Sequence, residues 1–70
     1  MNRATIETKK YRYIQMGRES LTAAQNYMTK YADVWDSGRE IEWLNMVHAA
    51  EICMTKALAI AEILEMDNAK

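Results

Sequence analysis

The chain has no proline and no phenylalanine, two glycines, and one each of cysteine and histidine among 70 residues. Each scarcity excludes something. Without proline, and with turn-forming residues gathered in one place, long helices are favoured and the frequent turns that strands need have no signal. A lone cysteine, Cys53, rules out an intramolecular disulfide, and no Cys/His pair has zinc spacing. Below roughly 70–80 residues a single core supplies only about 3–5 kcal/mol. With disulfide and metal staples set aside, self-association is the remaining source of stability. The single thiol and the lack of a recognisable leader fit a reducing cytoplasm, the expected location. The most apolar run, MVHAAEICMTKALAIAEIL, is broken by Glu51, Lys56 and Glu62, so no membrane span is expected.

What is present is helical. Half of the residues are hydrophobic, and the apolar positions recur at helical spacing except in one stretch, YADVWDSGRE. There Asp33, Asp36, Ser37 and Gly38 cluster. Ser37-Gly38-Arg39-Glu40 fits a capping box, with the Ser37 hydroxyl accepting from the Glu40 amide and the Glu40 carboxylate reaching back. The expectation is one all-α domain over residues 1–70: a first helix over 4–31, a turn over 32–37 and a second helix over 38–66. The two helices fold back as an antiparallel hairpin that assembles with its copies into a helical bundle. The ends, MNR and MDNAK, are expected to fray.

The inward stripe of the first helix is read as Ile6, Tyr13, Gly17, Leu21, Ala24, Met28 and Tyr31. A glycine on such a stripe lets another group approach closely. The second helix carries two apolar rows where a solitary hairpin needs one. Ile41, Leu44, Ile52, Leu58 and Ile63 form the first; Trp43, Val47, Ala50, Met54, Ala57, Ala61 and Leu64 form the second, assigned here to an interface with another copy.

Catalytic machinery is not legible. His48 and Cys53 are five residues apart, on different sides of a helix, and no third group orients either. His48 and Glu51 lie one turn apart, but the di-iron bundle pattern runs Glu-x-x-His and needs further inward glutamates. No phosphate-binding glycine loop or Rossmann fingerprint occurs. The expectation is therefore a non-enzyme without metal or cofactor.

Charge is the feature left to explain. Residues 1–18 hold five cations, Arg3, Lys9, Lys10, Arg12 and Arg18, against one acid, Glu7; from Ala32 onward eight acids face three cations. Either the two halves complement each other electrostatically, or the basic start holds an anion. Tyr11 and Tyr13 sit among those cations, Tyr11 being the one expected to face solvent or a ligand. Tyrosine stacks on bases and arginine forks onto phosphate. Tyr27, Tyr31 and Trp35 are instead expected to clamp the hairpin tip. A net charge of −1 disfavours long nucleic acid and suits a small anion better.

The second-helix segment EWLNMVHAAEICMTKALAIA, with Trp43-Leu44, Met46, Val47, Ala57-Leu58 and Ala61, resembles the small phage helical-hairpin sponges of the anti-CBASS family. In the first helix, Arg12, Met16, Gly17 and Glu19 look similar to a family Arg…Leu-Gly-x-Glu segment. The resemblance departs at Ile14, where the family has a lysine, and at Ala50–Met54, where it has Gly-Phe-Met. It implies a homo-oligomer that sequesters cyclic di- or trinucleotides between subunits without cleaving them. Lys10, Tyr11, Arg12 and Arg18 are the nominated ligand contacts. Two other classes stay open: an adaptor or inhibitor that grips a host protein, as anti-CRISPRs do, and an RNA-binding hairpin dimer resembling Rop.

Overall fold

Helix start and stop signals are read almost where they stand. In the computed structural model, which describes residues 2–68, α1 spans Arg3–Lys30 and α2 spans Ser37–Asn68, joined by a single 3-10 turn over Ala32–Val34. Among the described residues there is no strand. The helices lie antiparallel along a rod measuring 54 × 15 × 14 Å. The chain is an all-α hairpin, and no described helix is long and apolar enough to cross a membrane.

Both helix starts differ from expectation by a residue, for a capping reason. Asn2 caps α1, its side-chain oxygen accepting from the Ala4 amide at 2.9 Å, so Arg3 is helical rather than frayed. At the other end α2 continues through Asn68; Met1, Ala69 and Lys70 lie outside the described residues. Asp36, not Ser37, caps α2: its Oδ1 accepts from the Arg39 amide at 2.9 Å while its carbonyl accepts from the Glu40 amide at 3.0 Å. The expected Ser37–Glu40 box is replaced because the adjacent carboxylate does the same work one position earlier, and its negative charge suits the helix N-terminus. Lys30, in the last turn of α1, complements the opposite dipole end.

The turn is held by side chains. Arg39 Nη1 donates to the Val34 carbonyl at 3.2 Å and to Asp36 Oδ2 at 2.8 Å, with its guanidinium 4.7 Å from the Tyr31 ring centroid. The Tyr27 and Tyr31 rings meet at a tilt with centroids 4.8 Å apart, Trp35 meets Tyr27 edge-on at 5.9 Å, and Trp43 meets Trp35 at 6.3 Å. Such pairs add about 0.5–1.5 kcal/mol each beyond burial.

Along the seam the buried residues are small apart from one leucine: Gly17 and Ala24 from α1; Ala50, Ala57 and Leu64 from α2. A Cβ at position 17 would stand 2.8 Å from Met54 Cε and 3.2 Å from its Cγ, so this glycine lets Met54 close on the α1 backbone. Trp43, Val47, Met54 and Ala61 are half-buried in the same line. The row assigned to a second copy is thus the one that packs on α1 within the chain. The reason is steric: the glycine–alanine line lets two axes approach closely, which the isoleucine–leucine row does not. In α1, Ile6, Tyr13, Gly17, Ala24 and Tyr31 turn inward as read, but Leu21 and Met28 remain 42% and 44% exposed. Among the described residues the fully buried apolar side chains are three alanines and one leucine. Since a buried leucine stabilises by about 1.5–3 kcal/mol and an alanine by far less, the single hairpin has a thin core.

Candidate functional site

The basic start of α1 does not converge on a point. Lys10 is half-buried beside the seam, and its Nζ stands 4.7 Å from the Tyr11 ring centroid. Tyr11 is 62% exposed and Arg12 is exposed. Successive helical residues diverge by about 100°, so Lys10, Tyr11 and Arg12 fan across roughly half the helix circumference. Arg18, two turns on, borders a shallow open depression of about 400 Å³ with Gln15, Glu19 and Thr22. Closeness in sequence is therefore not closeness around a ligand in a single chain.

The hairpin has two unlike faces. On one, open grooves follow one another along the seam. At the free end Ile6, Lys9, Tyr13, Lys56, Ile60 and Ile63 line about 390 Å³, with Lys56 Nζ 5.4 Å from the Tyr13 ring centroid. Midway, Ser20, Ala23, Glu42, Met46 and Ala49 line about 460 Å³. At the turn, Tyr27, Tyr31, Asp36, Arg39 and Glu42 line about 320 Å³. That Lys9 and Lys56 line the same groove was not read from sequence, because these residues lie far apart in the chain and only the antiparallel register places them on one groove.

The opposite face follows from helical spacing: residues four after each seam position lie on the side away from the grooves. From α1 these are Ile14, Leu21 and Met28; from α2, Val47, Met54 and Ala61. Outside them, one step beyond the seam residues, run Tyr11, Arg18 and Gln25 on α1 and Leu44, Glu51 and Leu58 on α2. Leu44 is 49% exposed and Leu58 60%. This face is apolar through its middle, with Arg18 between Tyr11 and Gln25 on one edge and Glu51 between two leucines on the other. The expected isoleucine–leucine row contributes to this face through Leu44 and Leu58. Ile41, Ile52 and Ile63 are exposed elsewhere on α2.

Reactive groups are scattered. Cys53 is half-buried and His48 is exposed, its Nδ1 3.8 Å from Glu51 Oε2. Among the described residues no three His, Cys, Asp or Glu side chains cluster so as to hold a metal. One hydroxyl is perturbed: Tyr27 donates to the Glu42 carboxylate, which holds its proton and pushes its pKa up to about 12. That bond ties α1 to the first turns of α2, a structural task. Compared with protein-family models, curated proteins and solved structures, the chain matches none.

Proposed function

We propose that this protein works by stoichiometric binding: hairpins associate and together sequester an anionic cyclic oligonucleotide, without chemistry on it. The observation that carries the reading is the uncovered apolar face bordered by the exposed Tyr11. An apolar face of this length on a short chain is a contact surface. Because Lys10, Tyr11 and Arg12 fan outward, a ligand touching several such groups has to draw them from adjacent subunits. Cations there neutralise phosphate, and binding of this kind needs no catalytic group.

The experiment is titration calorimetry of the purified protein against a panel of cyclic di- and trinucleotides, with the nucleotide recovered and analysed afterwards. Saturable heat with intact nucleotide supports the reading, and Lys10→Glu or Arg12→Glu should weaken it at least tenfold. Silence across the panel rejects it. Co-purification of a host protein in fixed ratio, lost on Leu58→Glu, would transfer the same face to the inhibitor reading.

A further inference from the structure

We infer that a second copy of the chain covers the face opposite these grooves through a twofold axis parallel to the hairpin, so that α1 of each copy lies over α2 of the other and both turns sit at the same end. This rests on the proposed self-association and specifies its geometry.

The register is fixed within one chain. Tyr27 bonds to Glu42, and Gly17 abuts Met54. Antiparallel helices keep this correspondence, so Gln25, Arg18 and Tyr11, stepping down α1 by sevens, are level with Leu44, Glu51 and Leu58 on α2. These are the two outer edges of the face, one on each helix. A twofold along the rod preserves height and exchanges the edges. It sets Tyr11 against Leu58 of the second copy, Arg18 against Glu51, and Gln25 beside Leu44. At the free end Ala4 meets Glu65. The cation finds an anion and the largest exposed aromatic of α1 finds a leucine. Each contact occurs twice, and Ile14, Leu21 and Met28 close the middle against their symmetry mates.

The competing twofold, perpendicular to the rod, places like helix over like helix and puts the turns at opposite ends. In one register it sets Arg18 against Arg18 and Glu51 against Glu51. Shifted by a heptad, it presses Glu51 onto Leu58 and Leu44 onto Glu65. Like charges at flanking positions of a helical bundle oppose pairing, and opposite charges there select orientation. Among the described residues Arg18 has no ion pair of its own, and the neighbour of Glu51 is His48 at 3.8 Å. Arg18 accordingly serves assembly rather than the ligand.

Charge reversal tests this directly. By sedimentation equilibrium, Arg18→Glu and Glu51→Arg should each associate about tenfold to a hundredfold more weakly than the unmodified chain, with helicity unchanged. Mixing the two variants should restore association, because each supplies the charge the other lacks at both contacts. As a second measurement, a spin label on Ser37→Cys in a Cys53→Ser background should report an intermolecular distance far below the 54 Å rod length. Variants that associate like the unmodified chain, a mixture that stays apart, or labels separated by about the full rod would overturn the arrangement while leaving self-association intact. An unmodified chain that sediments as a folded single hairpin removes both.

Discussion

The two helices are of similar length but differ in how far their sequences explain a lone hairpin. On α1 the side turned away from α2 is mostly polar, with Thr8, Gln15, Glu19, Thr22 and Asn26, and Thr8 Oγ1 bonds back to the Ala4 carbonyl at 2.9 Å. One narrow inward stripe suffices for such a helix. In α2 the seam is lined by alanines together with Leu64, whereas Ile41, Leu44, Ile52, Leu58 and Ile63 are exposed. Both helices keep apolar side chains in solvent, α2 more of them than α1.

The largest expected effect sharpens this contrast at the seam. Ala50→Leu forces a large side chain between closely approaching axes and should destabilise the hairpin by about 1–3 kcal/mol in urea melts. Leu58→Ser, on the outer row of the same helix, should leave single-chain stability within about 0.5 kcal/mol yet weaken association. Equal losses at both sites would erase the distinction.

Next comes the cap. Asp36→Ala removes the acceptor for the Arg39 amide and should cost about 1 kcal/mol, whereas Ser37→Ala should cost a few tenths at most. Thermal melts distinguish the two. A comparable effect is expected from the Gly17–Met54 contact. Glycine to alanine favours a helix by about 1 kcal/mol, but the added Cβ meets Met54 Cε at 2.8 Å. Gly17→Ala should therefore stabilise by about 1 kcal/mol more in a Met54→Ala background than in the native one, a coupling that a double-mutant cycle reads.

The smallest effect concerns pH. Tyr27 keeps its proton to about 12 in the folded chain against an ordinary 10, because Glu42 accepts from it. Its contribution is complete below pH 10 and is lost as pH rises from 10 through 12, where the unfolded chain alone sheds the proton. Melting temperature should fall over that window, and less steeply in Tyr27→Phe; parallel slopes would remove Glu42 from the account.

The hairpin was legible because a single stretch gathers every turn signal, leaving helical spacing on either side. Which row of α2 meets α1 was misread. Periodicity says that Ala50, Ala57 and Leu64 share a side, as do other sets, but a helix apolar on most sides does not name the side it buries. The sign was in the partner: Gly17 and Ala24, seven apart, match Ala50 and Ala57, and small opposite small permits the closest approach. Asp36 and Ser37 are both good caps, so adjacent residues competed for one role. Among candidate ligand contacts, runs of cations were visible, but their divergence around the helix and the placement of Lys9 and Lys56 on one groove depend on three-dimensional register.

Arg39 has a consequence for how copies of the hairpin would meet under the proposed self-association. By joining the Val34 carbonyl, the Asp36 carboxylate and the Tyr31 ring, it rivets the bend shut. Straightening the chain into one long rod, the step that exchange of arms between molecules requires, would break all three contacts along with the ring contacts. Copies are thus expected to join and part as prefolded units, so that supply and release of subunits can follow concentration without passage through unfolded chains.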